Sequence, residues 1–391
     1  MNRVYLDNAA TTPLSPCAAQ AMAPYMAPGV EAPFGNANSV HSIGREAFSA
    51  LEDARMRTAR ALGAQRPDEI VFTSGATEAD NAALLGLALA ERDRRNLKGD
   101  HRPGVVLMSR VEHEAVLQSA SALKRLGFEV RFVDNDSEGR VTPDALEAAL
   151  SDDVLLVSIM AVNNEIGTVF DTAALARIAH RAGALFHVDA VQGLGKIAFN
   201  VRDLGVDAAS FSAHKVGGPK GVGVLYLKTR TPFTPFLVGG GQERGLRSGT
   251  QNVAGIVGCA AAMENAVRNQ RQFAERTRAW RDYLYKELSA LRGVSAVVPV
   301  APGDATFAPH IVSVCVRGME SQTLILQLDM RGICVSGGSA CSSSSLDPSH
   351  VLAAIGVPRN LAQGLIRVSF GDSTEQAHID AFLSAFKEVV A

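Results

Sequence analysis

Between residues 68 and 230 the chain alternates short apolar runs with longer stretches whose apolar residues recur every three or four positions. The runs predict strands at 70–72, 104–108, 129–133, 154–160, 184–188, 208–212 and 222–227. The periodic stretches predict helices at 78–91, 114–126, 142–150 and 172–182. Such alternation implies βαβ units and a mostly parallel sheet. Several of the strands are apolar at nearly every position, as expected when helices cover both faces. After about residue 260 the pattern changes. A long helix at 259–291 precedes strands near 294–298 and 311–317, a helix at 321–331, an apolar strand at 332–335, a Ser-rich loop and a last strand near 365–370. The expected fold class is therefore α/β, a large domain (16–259) with a mostly parallel central sheet. A smaller α+β domain (1–15 and 260–391) carries the Ser-rich loop at about 336–346, which its composition marks as mobile.

Composition narrows the function classes. The chain has 391 residues, beyond what one hydrophobic core usually organises. Its charged fraction is 20% and its formal net charge is -2, with no concentrated basic stripe, which argues against nucleic acid as a partner. No apolar run approaches the roughly 18 residues that would span a membrane, and residues 1–7 do not read as a secretory signal. Five cysteines, without any CxxC spacing, fit neither a disulfide framework nor a structural zinc site. A reducing cytoplasm is the expected location.

The chemistry sits where strands end. The strand at 208–212 runs into Ala213-His214-Lys215 and a Gly/Pro-rich turn, and strand ends of this kind are where open α/β sheets bind ligands. A lysine there can form a Schiff base with an aldehyde cofactor; the alternative is a surface loop lysine. Upstream, the strand at 184–188 ends in Asp189, followed by Gln192. A carboxylate so placed can pair with a protonated pyridine nitrogen, or it can cap a helix. Thr73-Ser74-Gly75-Ala76-Thr77-Glu78 follows a strand and opens a helix, giving free N–H groups and hydroxyls for an anion. A simple capping box with Thr77 or Ser74 as cap would read the same way. His113 follows the strand at 104–108, where an imidazole can stack on a ring or move protons. The turn beginning at Asn163 can offer an amide.

Among the cysteines, Cys259, Cys315 and Cys334 have apolar company and read as small buried hydrophobes. Cys341 differs: it lies among small polar residues at 336–345, where exposure suits a reactive thiolate. Arg367, a cation within an apolar strand, can simply point to solvent or can equally clamp a carboxylate by a bidentate fork.

Taken together, Tyr5-Leu6-Asp7-Asn8-Ala9-Ala10-Thr11-Thr12-Pro13, Thr73-Ser74-Gly75-Ala76-Thr77-Glu78, Asn163-Asn164-Glu165-Ile166-Gly167, His187-Val188-Asp189-Ala190-Val191-Gln192, Ser212-Ala213-His214-Lys215, Arg247-Ser248-Gly249-Thr250 and Gly338-Ser339-Ala340-Cys341 resemble the cysteine desulfurases of the NifS and IscS types. These are pyridoxal-phosphate (PLP) enzymes of fold type I, akin to class-V aminotransferases, and the resemblance runs nearly end to end. It implies that Lys215 holds PLP covalently and Asp189 pairs with its ring nitrogen. Gln192 and Asn163 would bond the ring hydroxyl region, and His113 would stack on the ring. Ala76, Thr77, Ser212 and His214 would hold the phosphate, joined by Thr250 from the second subunit of a homodimer. Arg367, with Asn163, would take the carboxylate of L-cysteine, and Cys341 would receive sulfur for an acceptor protein in iron–sulfur cluster assembly or thio-modification. Two motifs depart from the family pattern: Gly35-Asn36-Ala37-Asn38-Ser39 lacks the usual proline, and Gly371-Asp372 stands where Gly-Arg is usual. Both leave the chemistry alone and bear on the sulfur-receiving partner. Selenocysteine lyase, another PLP aminotransferase reaction and a non-catalytic sulfur-carrier platform are the competing readings.

Overall fold

The computed structural model describes residues 3–338 and 348–391. Among them, a seven-stranded sheet runs in the spatial order Ile70–Thr73, Gly223–Leu227, Ala208–Ser212, Leu185–Asp189, Val154–Ser158, Val105–Ser109 and Glu129–Val133. Gly223–Leu227 is antiparallel to both of its neighbours, and every other pairing is parallel. The expected mostly parallel sheet is therefore present.

Residue alternation along one strand shows how the sheet is buried. Val105 and Leu107 pack into a core shared with Leu51, Val157 and Phe186. Val106 and Met108 face the opposite way, into a core with Leu84, Leu87 and Leu156. Side chains of a strand alternate between faces, so an all-apolar strand needs a helical layer on each side. The helices Ser42–Leu62 and Val253–Arg268 supply one layer, and Ala76–Asn96 contributes to the other. Strand ends are also set by close approach. A Cβ on Gly223 would lie 2.4 Å from the carbonyl carbon of Gly75, so only glycine lets this strand start against the helix-opening turn.

A separate core joins Leu6, Trp280, Leu284, Val314, Leu328, Ile366 and Phe382. Its antiparallel strands Val294–Ala296, Ile311–Val316 and Leu365–Ser369 are accompanied by a parallel pair, Val4–Tyr5 with Ile333–Cys334.

Two expected helices and one cysteine differ in detail. The long helix at 259–291 is two helices, Val253–Arg268 and Gln270–Ser289, broken at Asn269, which leaves helical geometry while its amide donates to Asn265 Oδ1 at 3.1 Å. The helix at 114–126 is likewise two, Glu114–Leu117 and Ser119–Arg125, joined through Gln118. Cys259 and Cys315 are buried as expected, but Cys334 is half-buried, because its two-residue strand lies in the small parallel pair rather than inside the core. No helix among the described residues is long and apolar enough to cross a membrane.

Candidate active site

The carboxyl ends of the parallel strands open onto one cavity of about 430 Å³. Lys215 enters it from the short turn Ala213–Lys215, directly after the strand Ala208–Ser212. Its amine donates to the carbonyls of Ala9 at 2.6 Å and Ala10 at 2.9 Å. The segment bearing those carbonyls is fixed in turn. Thr12 Oγ1 donates to the His214 carbonyl at 2.9 Å, and Gln192 Nε2 donates to the Ala9 carbonyl at 2.9 Å. Gln192 Oε1 lies 3.2 Å from His310 Nε2, so both ends of this amide are engaged.

Asp189 closes the strand Leu185–Asp189 and is buried. Its Oδ1 accepts from the Val191 N–H at 3.0 Å, which turns the chain rather than capping a helix. Burial raises its carboxyl above the ordinary carboxylate range, while His113 and Lys215 pull in the opposite direction. His113 accepts from the Ala115 N–H through Nδ1 at 3.1 Å, and burial lowers its basicity. With Nδ1 accepting, a neutral imidazole carries its proton on Nε2.

An anion cradle forms at the other end. The 21-residue helix Ala76–Asn96 begins after Gly75, which gives no side-chain cap. The N-cap is thus neither Ser74 nor Thr77, and Glu78 is held by Arg247 at 2.7 Å and by the Ser74 N–H at 2.9 Å. The first N–H groups therefore have no intrahelical partner and carry the positive end of the helix dipole. Ala76, Thr77, Ser212, His214 and Lys220 surround them. Burial first, then Lys215 and Lys220, push the His214 imidazole down to about 4, so at neutral pH it acts as a neutral donor.

Arg367, 1% exposed, lines the same cavity. Its guanidinium donates to Asp7 Oδ1 and to the Asn164 carbonyl, each at 2.9 Å, and its Nε has no partner among the described residues. Three of its five N–H groups thus remain for a ligand. Burial raises the Asp7 carboxyl, against the pull of Arg367.

The cavity collects Lys215, Asp189, Gln192, His113, Ala76, Thr77, Ser212, His214 and Arg367. It does not collect Asn163 or Thr250. Asn163 is fully buried: its Nδ2 donates to the Val111 carbonyl, and its Oδ1 accepts from the Glu165 and Ile166 N–H groups, all at 2.9 Å. Its neighbour Asn164 lines the cavity instead. Thr250 is exposed and borders a small hollow of about 120 Å³ behind Ser74 and Gly221. Cys341 lies outside the described residues.

Sequence reasoning passed over Lys220, Asp7 and Asp80. The first stands inside the Gly217 to Gly221 turn already noted. The second is the counter-ion that makes a buried strand arginine tolerable. The third is four residues after Ala76, hence on the cavity-facing side of the same helix.

A lysine and a carboxylate at adjacent strand ends, with an anion cradle beyond them, fit a flat, phosphate-bearing aldehyde, and this is the arrangement of a PLP enzyme. The class-V aminotransferase model matches residues 4–382. The chain is similar to the cysteine desulfurase IscS of Dictyoglomus turgidum, 44% identical over 99% of this chain and 94% of that one. A solved NifS-like protein superposes with a TM-score of 0.88 at 40% identity, covering 99% of each chain. A structure described as SspA in complex with cysteine gives 0.77 at 31% identity, covering 94% of this chain and 98% of that one. The chain belongs to the class-V aminotransferase family, among its PLP-dependent cysteine desulfurases of the NifS and IscS types.

Proposed function

We propose that the protein removes sulfur from L-cysteine, giving L-alanine and a persulfide on Cys341 for transfer to an acceptor protein. The observation that carries this reading is the single cavity joining Lys215, Asp189 and Arg367. The bound cofactor supplies an electron sink for the charge that develops at the substrate Cα. Lys215 would hold it covalently and, once freed by the substrate amine, would take the α-proton. Asp189, as the carboxylate, would accept a hydrogen bond from the ring nitrogen and keep it protonated. His113 would stack on the ring with a neutral imidazole, and the open N–H groups at Ala76 and Thr77 would hold the phosphate with Ser212 and His214. Arg367 fixes the substrate carboxylate and so orients the Cα–H bond toward Lys215.

The Cys341 thiolate then attacks the substrate sulfur. An S–S bond forms as the Cβ–S bond breaks, the bonding electrons stay with Cβ, and protonation there completes L-alanine. The assignment of Cys341 rests on its sequence surroundings.

We further read the protein as a homodimer. Thr250 is exposed on its own subunit, a position suited to completing the phosphate cradle of a second copy. Exposed apolar side chains such as Phe34, Val40, Phe48, Phe236 and Val238 are of the kind that such a contact covers.

The test is spectroscopic. The protein loaded with PLP should show the visible absorption of a lysine-bound cofactor, and L-cysteine should change it while alanine accumulates without any added keto acid. Lys215→Ala should lose the covalent band. A Lys215→Ala protein with a wild-type spectrum would remove the lysine from its role.

A further inference from the structure

Behind residues 8–13 lies a second cavity, of about 590 Å³, and the proposed reaction gives it no part. Ala9, Ala10 and Thr11 line the active-site cavity, whereas Asn8, Thr12 and Pro13 line this one, so a single stretch of chain walls both. Among the described residues, the two cavities share no lining residue. Thr12 Oγ1 fixes the wall: it donates to the His214 carbonyl at 2.9 Å and accepts from the Gly217 N–H at 2.8 Å.

Lys196 lines the second cavity and is only 6% exposed. A charge so deeply buried needs a partner. No hydrogen bond or ion pair meets its ammonium among the described residues; it faces the Phe273 ring, whose centroid is 4.3 Å away. An aromatic face compensates a cation only in part. Lys196 also borders a neighbouring hollow of about 400 Å³, together with Gln270, whose Nε2 donates to the Lys196 carbonyl at 3.3 Å. The Phe273 ring lines the larger cavity and not that hollow, which places the ammonium on the larger side.

The remaining lining sets the charge. Arg276, which stacks on Trp280 at 5.3 Å, is an exposed second cation. Asp372 is the one acid; it is exposed, forms no ion pair among the described residues and acts on Lys196 through space. Burial outweighs that pull and lowers the Lys196 ammonium to about 8, so it stays mostly charged at neutral pH. Two cations against one acid leave a single positive charge uncompensated, which suits a monoanion, while Asp372 opposes a second negative charge. An ammonium and a guanidinium suit a carboxylate. The amides of Asn265, Asn269 and Gln272 suit a polar oxygen beside it.

We infer that this cavity is a second ligand site, which takes a small hydroxycarboxylate monoanion with its carboxylate on Lys196. Gly371-Asp372, which stands where Gly-Arg is usual, then sets the selectivity of this site and not the reaction.

Calorimetric titration of the PLP-loaded protein with L-lactate, which has no amine to react with the cofactor, tests the inference. Arg367 also suits a carboxylate, so the titration is repeated on Arg367→Lys. Saturable binding should persist in Arg367→Lys and weaken about tenfold or more in Lys196→Gln, through loss of a charge-assisted hydrogen bond. Inorganic phosphate should bind the wild type more weakly than L-lactate, and Asp372→Arg should tighten phosphate more than L-lactate. Binding that Lys196→Gln leaves unchanged, or that Arg367→Lys abolishes, overturns the inference, as does no saturable heat up to about 10 mM L-lactate. Phosphate binding as tight as L-lactate in the wild type overturns it too. If Lys196→Gln fails to fold, the exposed substitution Asp372→Arg decides, and an unchanged phosphate affinity there counts against the site. None of these measurements needs turnover, so their outcome is independent of whether the protein acts on L-cysteine.

Discussion

Replacing Arg367 by lysine separates charge from shape in the proposed substrate clamp. The guanidinium is held by Asp7 Oδ1 and the Asn164 carbonyl, both at 2.9 Å, which leaves three N–H donors for the carboxylate of L-cysteine. A lysine keeps a cation beside the half-buried Asp7 carboxyl but loses the planar fork. A hydrogen bond to a charged group contributes about 1.5–3 kcal/mol. Losing one such bond and degrading the other should weaken recognition by about 2–3 kcal/mol, equivalent to roughly 30- to 150-fold in kcat/KM. The binding term should appear in KM, because the carboxylate is held before and during the reaction. Steady-state kinetics with L-cysteine measure the loss. Spectral titration with L-cysteine methyl ester, which lacks the carboxylate charge, supplies the control: there the substitution should matter less than threefold. A folded, cofactor-loaded Arg367→Lys protein with kcat/KM within threefold of wild type would refute the clamp. An equal penalty on cysteine and its ester would refute it too, since the damage would then lie elsewhere.

Arg55 and Glu243 form a buried bidentate pair at 2.6 and 2.8 Å, and Glu243 also accepts from the Phe72 N–H, which fixes the strand leading into the anion cradle. Arg55→Met leaves the carboxylate buried without its cation and should destabilise the protein by about 3–5 kcal/mol; urea unfolding should show a lower midpoint, largely restored by adding Glu243→Gln. For Glu112, burial raises the carboxyl from 4.5 to about 8. The folded state therefore holds a proton that the unfolded chain releases, so this contribution is full below about pH 4.5 and falls as pH rises toward 8. The unfolding free energy of wild type relative to Glu112→Gln should decline across that window, and a flat difference would show that Glu112 ionises normally.

The layered α/β core was legible because an all-apolar strand flanked by helical periodicity has few other ways to bury itself. Lys215, Asp189 and His113 were legible for a related reason: each directly follows an apolar strand, and strand ends converge in an open sheet. Breaks at Gln118 and Asn269 escaped notice because an interruption at a single residue hardly disturbs apolar periodicity. Asp80 stayed hidden because a carboxylate inside a helix reads as solvent-facing until the fold turns that helix face toward the cavity. Asn163 shows the opposite failure, since its amide looked available to a ligand but is fully engaged by its own turn and the Val111 carbonyl. Thr250 is exposed and lies outside the cavity, a position that periodicity along the chain does not reveal.

Mass spectrometry of Cys341 after a single turnover tests the central claim most directly. The PLP-loaded protein, mixed with substoichiometric L-cysteine and quenched before any reductant is added, should carry one extra sulfur atom on the peptide containing Cys341. One L-alanine should be released for each sulfur gained, and Cys341→Ser should show neither the added sulfur nor sulfide release. Sulfur found on another cysteine, or wild-type sulfide release from Cys341→Ser, would contradict the account.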